Sequence, residues 1–143
     1  MVRLKNRYLL VEVHYKDGKL DESYNELAVL TAIRDAVAVN FGDYGLGCNL
    51  SSLQVKFYSP FTGTCIVRCA TSENERVITS LALMTEVKGR PAALRLLRIA
   101  GTLDACKDAA RAHSAGALPQ LKLAPRQRQA AEQLHTCIGA LEL

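Results

Sequence analysis

The chain has 143 residues, of which 49% are hydrophobic, and it carries a formal net charge of +4. This length and apolar content are typical of one globular domain with a substantial core, and they exclude an intrinsically disordered chain. No stretch reaches the roughly 18 apolar residues that a membrane span requires, so we expect no membrane partner. Arg3, Lys5 and Arg7 interrupt the N-terminal segment, so we expect no secretory signal. The mildly basic balance permits an anionic partner without demanding one.

The number and spacing of the cysteines predict free thiols in a reducing compartment. The chain has an odd number of them and no CxxC pair: Cys48, Cys65, Cys69, Cys106 and Cys137. Cys65 and Cys69 fall in a predicted strand at a spacing that places both side chains on one face. We interpret these two as small buried core residues rather than as a metal or redox pair.

The N-terminal part of the chain predicts one strand followed by one helix. Apolar and polar residues alternate over residues 7 to 15, which is typical of a strand with one buried face. Ser23 and Glu26 form a capping-box pattern that opens a helix, and Gly42 indicates where that helix stops. We expect residues 42 to 47 to form a flexible connector rather than a phosphate-binding loop, because they lack the GxGxxG spacing.

Two further strands and a second helix follow. We expect strands near residues 50 to 58 and 64 to 70, joined by a hairpin at residues 59 to 63. Ser72 and Glu75 form a second capping box, which predicts the start of the second helix.

The last part of the chain predicts a fourth strand at residues 93 to 99 and a third helix at residues 103 to 114. The order β-α-β-β-α-β-α indicates an α+β fold of the ferredoxin-like or RNA-recognition type. Here two helices cover one face of an antiparallel sheet and the other face is open. We assign residues 1–114 to this domain, 115–124 to a linker and 125–141 to a C-terminal helix. That helix could dock on the domain, cover the open face, or meet a partner.

Residues that support catalysis are sparse. The predicted strands carry one acidic residue, Glu12, whereas two-metal chemistry needs several clustered carboxylates. The three histidines are scattered, without the spacing of a metal site. We expect His14 to form a cross-strand hydrogen-bonded pair rather than to carry protons. The sequence therefore predicts no catalytic residue, no metal site and no cofactor held by the protein itself.

The basic residues give a stronger indication of function. Arg3, Lys5 and Arg7 alternate through an extended N-terminus, so we expect them on one side of the strand. There they would either contact the phosphates of a nucleic acid or form a solvated edge.

We expect Lys56 and Arg68 to share the open sheet face with Tyr8 and Tyr58, which would add stacking platforms for bases. Arg95 and Arg98 are three residues apart in the fourth strand. They should therefore point to opposite faces, and at most one should join this surface.

Short segments of distinctive sequence are spread over residues 1 to 112. They are residues 1–10, Val39-Asn40-Phe41-Gly42, Gly45-Leu46-Gly47, and residues 53–57, 61–63, 65–68, 99–102 and 106–107. In this order they resemble the small α/β protein subunit shared by ribonuclease P and ribonuclease MRP, the processing-of-precursor-RNA protein five family. The form Val-Asn-Phe-Gly followed by Gly-Leu-Gly is most similar to the plant-type branch of that family.

The resemblance implies a βαββαβα fold and a protein that is not a nuclease alone. In this family the RNA subunit uses Mg²⁺ to free the 5′ end of transfer RNA, and the MRP particle processes precursor ribosomal RNA. The implied location is the nucleus and nucleolus. The implied partners are ribonuclease P RNA, MRP RNA, the precursor tRNA 5′ leader, a TIM-barrel-like protein subunit and a second small α/β subunit.

The resemblance also implies which residues bind RNA. The residues at matching positions are Arg3, Lys5, Arg7, Tyr8, Lys56 and Arg68.

Two other functions stay open. One is a protein–protein adaptor without direct RNA contact, in which an open sheet face with Leu10 and Ile66 dimerises with another small α/β subunit. The other is a small hydrolase of the acylphosphatase type. The sequence disfavours it, because residues 16 to 19 after the first strand lack the expected phosphate-binding loop.

Overall fold

Five strands and four α-helices form the part of the chain that this computed structural model describes, namely residues 5–16, 25–60, 62–117 and 125–138. The strands are β1 (Asn6–Tyr15), β2 (Gln54–Tyr58), β3 (Thr64–Ala70), β4 (Glu86–Val87) and β5 (Arg90–Ala100). The helices are α1 (Glu26–Asn49), α2 (Asn74–Leu83), α3 (Leu103–Ala117) and α4 (Pro125–Cys137). Within these ranges, no helix is both long and apolar enough to cross a membrane.

The strands form one sheet in the order β2-β3-β1-β5-β4, and every neighbouring pair is antiparallel. This arrangement confirms the predicted α+β fold class. The two-residue strand β4 is an addition to the prediction. It folds back onto the start of β5 through Lys88 and Gly89, which both have positive φ angles.

One face of the sheet packs against α1 and α2. Val29, Ile33 and Val37 recur every four residues along α1, and all three are fully buried against the sheet. The predicted core cysteines Cys65 and Cys69 lie in the same cluster. Burial raises the pKa of Cys65 to about 12 and that of Cys69 to about 11, so both thiols stay neutral.

The opposite face of the sheet is covered as well, so the expectation of an open face is wrong. Leu10, Phe57 and Ile66 point to this side, and each is buried. They pack against α3 and against the end of α4, where Ile138 is fully buried. The physical reason is that an apolar sheet surface of this size must be removed from water. The C-terminal helix thus covers the sheet face, and the domain boundaries stay a prediction.

Both helix starts differ from the capping-box predictions. At α1 the capping residue is Asn25, whose side-chain oxygen accepts the Ala28 N–H at 3.0 Å, and Ser23 lies outside the described residues. At α2, residues Thr71–Glu73 form a 3₁₀ turn, the helix begins at Asn74, and no side chain caps it. Asparagine caps a helix as well as serine does, so sequence alone did not select the cap.

Gly42 interrupts α1 as predicted, but the chain does not become a loop after it. Gly42 has φ 70° and ψ −169°, and the following residues to Asn49 are helical. Asn49 holds this second segment in place: its side-chain amide donates to Gly45 O at 2.8 Å and to Glu73 Oε2 at 3.4 Å. The connector predicted for residues 42 to 47 is therefore wrong, because a tertiary contact stabilises a short helix there.

A β-bulge changes which residues of β5 share a face. Leu10 pairs with Arg98 and Val11 pairs with Leu96, so β5 has one extra residue at this point. As a result Arg98 faces the same side as Arg95, which pairs with Glu12. The prediction that these two arginines lie on opposite faces is wrong, because strict alternation ends at a bulge.

We expect Gly63→Ala to destabilise the fold more than Gly89→Ala. Both glycines have positive φ angles, at 70° and 82°, so a Cβ adds about 1–2 kcal/mol of backbone strain at either site. A Cβ on Gly63 would also collide with the carbonyl oxygen of Val13, whereas a Cβ on Gly89 meets nothing within 4 Å. This collision should cost about 1–3 kcal/mol more. Urea unfolding of both variants measures the difference, and equal losses would contradict the close approach at Gly63.

Candidate nucleic-acid interface

The predicted RNA-binding residues occupy different environments in the structure. Lys5 is exposed just before β1, and Arg7, Lys56 and Arg68 are half-buried. Arg3 lies outside the described residues. Arg7 pairs with Cys69 across β1 and β3, and its Nη1 atom lies close to Gly101.

The two tyrosines do not form open stacking platforms, so that prediction is wrong. Tyr8 is 4% exposed beneath α3, and Tyr58 is 3% exposed on the side of α1 and α2. The Tyr58 hydroxyl lies 3.1 Å from the hydroxyl of Tyr15. Burial raises the pKa of both Tyr8 and Tyr58. Tyr58 is on the unexpected face because a bulge between Val55 and Phe57 shifts the register of β2.

Lys56 and Arg68 do lie together, as predicted. Partial burial and the nearby Arg68 guanidinium lower the pKa of Lys56. Tyr8 pairs with Arg68 across β1 and β3, which places these two side chains on one face, and Lys56 lies in the bulge of the neighbouring strand β2. Among the described residues, no carboxylate forms an ion pair with Lys56 or Arg68. Two adjacent cations without an acidic partner favour an anionic ligand.

A groove lined by several hydroxyl-bearing residues lies next to Arg68. It has a volume of about 450 Å³ and is lined by Lys5, Asn6, Cys48, Ser51, Ser52, Ala70, Thr71 and Ser72. We call it the hydroxyl groove. Arg68 connects to it, because its Nε donates to the carbonyl oxygen of Ser52 at 3.3 Å.

The pairing of β1 with β3 builds the hydroxyl groove. Asn6 pairs with Ala70, and the Thr71 N–H donates to the carbonyl oxygen of Lys5 at 2.9 Å. The turn between α1 and β2 then supplies Ser51 and Ser52. Sequence reasoning missed these hydroxyl residues, because no local pattern links segments that are so far apart along the chain.

The groove wall contains polar atoms with unused hydrogen-bonding capacity. Ser52 Oγ and Thr71 Oγ1 are buried, and neither has a hydrogen-bond partner among the described residues. Buried hydroxyls without partners are uncommon and cost free energy. The exposed lining residues Ser51 and Ser72, together with the charges of Lys5 and Arg68, suit a ribose-phosphate backbone, which offers many acceptor oxygens.

The acidic residue of β1 lies close to two histidines. His14 Nε2 lies 3.1 Å from Glu12 Oε1, and because both residues belong to β1 this pair lies within one strand rather than across two strands as predicted. His113 Nε2 of α3 lies 3.8 Å from Glu12 Oε2. Within the described ranges, no three His, Cys, Asp or Glu side chains form a group that could hold a metal ion.

Sequence comparison identifies relatives of this chain. The sequence profile of the Rpp14/Pop5 family matches residues 7–111 of this chain. The probable ribonuclease P/MRP protein subunit POP5 of Arabidopsis thaliana is 40% identical over 116 residues, which cover 77% of each protein. The POP5 subunit of Schizosaccharomyces pombe is 39% identical over 112 residues, which cover 72% of this chain and 81% of the relative. The human POP5 subunit is 29% identical over 111 residues.

A solved structure also resembles this chain. A chain in the cryo-EM structure of yeast ribonuclease MRP superposes with a TM-score of 0.55, covering 95% of this chain and 92% of its own length. Their sequence identity is 11%, so this likeness concerns the fold alone. The family match and the plant relative confirm the resemblance seen in the sequence: the chain belongs to the Rpp14/Pop5 family.

Proposed function

We propose that this chain is a non-catalytic, RNA-binding protein subunit of ribonuclease P and ribonuclease MRP. Family membership supports the broader part of this statement, a protein subunit of the ribonuclease P/MRP complex. The observation that supports direct RNA binding is the placement of Lys56 and Arg68 beside the hydroxyl groove and Lys5, without acidic partners among the described residues.

The proposed roles follow from what such complexes process. The subunit supports the catalytic RNA during 5′ maturation of precursor tRNA, where it lies near the 5′ leader, and during processing of precursor rRNA. The RNA subunit performs the hydrolysis with Mg²⁺. The proposed location is the nucleus and nucleolus, and the proposed protein partners are a TIM-barrel-like subunit and a second small α/β subunit.

The adaptor alternative needs a different surface from the one first expected. Leu10 and Ile66 are buried under α3 and α4, so the sheet face is not available for dimerisation. A protein partner would instead find exposed apolar side chains at Val39 and Leu83. These flank a groove of about 420 Å³ between α1 and the β4 hairpin. This surface is compatible with a protein partner alongside RNA.

Removing a cation at the groove should weaken RNA binding in a salt-dependent way. We expect Lys5→Ala, Lys56→Ala or Arg68→Ala to reduce the affinity for the catalytic domain of ribonuclease P RNA by about fivefold each, because one phosphate contact contributes on the order of 1 kcal/mol. The slope of log affinity against log salt should become shallower by about 0.7–0.9 per cation removed. Filter binding of the full chain at several salt concentrations measures both quantities.

Lys16→Ala is the matched control for this experiment. Lys16 is exposed beyond the other end of β1, roughly 35 Å from Lys5 at about 3.3 Å per residue. Its removal lowers the net charge by the same amount as each of the three groove variants, but it should leave the slope of log affinity against log salt unchanged. If all four variants behave alike, the effect is one of overall charge and the proposed interface is wrong. No RNA binding by the wild-type chain would favour the adaptor.

We expect Arg68→Met to raise the pKa of Lys56. The Arg68 guanidinium disfavours the charged form of the neighbouring ammonium group, so its removal favours protonation. Burial also lowers this pKa, so recovery of the ordinary value should be partial. NMR titration of the lysine side chains measures the shift, with Arg98→Met as control because Arg98 lies on β5. A shift of equal size in the control would mean that Lys56 and Arg68 are not neighbours.

A further inference from the structure

An aromatic side chain near the hydroxyl groove is unusually exposed. Tyr44 lies on the second segment of α1, just after the interruption at Gly42, and is 76% exposed. Phe41, immediately before the interruption, is 36% exposed. Aromatic rings that are this exposed contribute little to the packing of the core, so we consider a binding role at the surface.

A fixed arginine accompanies these rings. The Arg76 guanidinium lies 5.5 Å from the centre of the Tyr44 ring and 6.0 Å from that of Phe41. Its Nη1 is 3.0 Å from Glu73 Oε2, and Glu73 in turn accepts from the Asn49 amide. A planar guanidinium held beside an exposed aromatic ring is an arrangement that stacks flat, uncharged rings.

This cluster is continuous with the hydroxyl groove. The Glu73 carboxylate and, to a smaller extent, the nearby Cys48 thiol raise the pKa of Arg76, and Cys48 also lines the groove. Ser72, another lining residue, immediately precedes Glu73. An RNA strand whose backbone lies in the groove would therefore pass close to Arg76, whose guanidinium lies 5.5 Å from the centre of the Tyr44 ring.

Charges around Tyr44 indicate which part of a nucleotide would lie there. Glu73 neutralises Arg76, and Asp43 and Glu75 are exposed nearby in the chain. Such a surface repels phosphates. Lys5, Lys56 and Arg68 are instead without a carboxylate partner in the part of the chain that the structure describes, so the backbone would follow the groove and a base would reach Tyr44.

We propose that Tyr44, together with Arg76 and Phe41, stacks an unpaired nucleobase of a single-stranded RNA whose phosphates lie along the hydroxyl groove. The inference rests on the proposed RNA-binding function and adds a base-stacking site that is separate from the phosphate contacts. Single-strand binding commonly combines a cationic path for the backbone with aromatic platforms for the bases.

The test uses the full chain and a labelled single-stranded oligoribonucleotide of about ten nucleotides. Tyr44→Ala should weaken binding about tenfold, the usual loss on removing a stacking ring, while Tyr44→Phe should keep the affinity within about twofold. The salt slope should be the same for wild type and Tyr44→Ala, because no phosphate contact is lost. Lys5→Ala should show the opposite pattern, with a shallower slope.

Tyrosine fluorescence supplies a second measurement, because the chain has no tryptophan. Stacking of a base should quench the emission of Tyr44, and this quenching should disappear in Tyr44→Phe although the affinity is kept. An oligomer with abasic sites should bind wild type and Tyr44→Ala equally.

The outcomes separate the inference from the proposed function. If Tyr44→Ala binds RNA as tightly as wild type while Lys5→Ala binds less tightly, the stacking site is wrong and the RNA-binding function stands. If wild type does not bind RNA and Tyr44→Ala instead prevents association with another protein subunit, both the stacking site and the RNA-binding function are wrong. Unchanged urea unfolding of Tyr44→Ala confirms that the variant is folded.

Discussion

The antiparallel pairing of β1 with β3 is the interaction on which the rest of the structure depends. It runs from Asn6 opposite Ala70 to Glu12 opposite Thr64, in the middle of the sheet. Its register decides which residues enter each of the two cores, and it places Arg68 next to Tyr8. It also brings Lys5 to the turn that follows β3, where the hydroxyl groove forms. One set of backbone hydrogen bonds thus positions both the core and the candidate interface.

Closure of the second sheet face moves the candidate interface. In an open-faced sheet, a nucleic acid would stack on aromatic residues of the central strands. Here α3 and α4 occupy that surface, and Tyr8 is part of the core that they form. The accessible cations lie instead near the end of the sheet, beside the turns at Ser51, Ser52 and Thr71. The proposed RNA binding therefore depends on turns and on the start of β1 rather than on the sheet surface.

Much of the fold was predictable because it follows from local periodicity. The four main strands and the three domain helices have the alternation or helical spacing that burial of one side requires. The failures have local physical causes. Two β-bulges reverse the alternation of side chains near Lys56 and Arg98. The hydrogen bond from Asn49 to Glu73 stabilises the second helical segment of α1, although the glycines of this segment disfavour a helix.

The sequence by itself determined the order of the elements, the family, and the nature of the cations near the groove. It did so because side-chain type and short-range spacing are properties of the chain. Only the tertiary structure decided that Tyr8 is covered, that Arg68 is joined through Ser52 to the groove that Lys5 lines, and that Tyr44 lies beside Arg76. These neighbours come from distant segments, and their distances are set by strand register and helix packing, which no local pattern encodes.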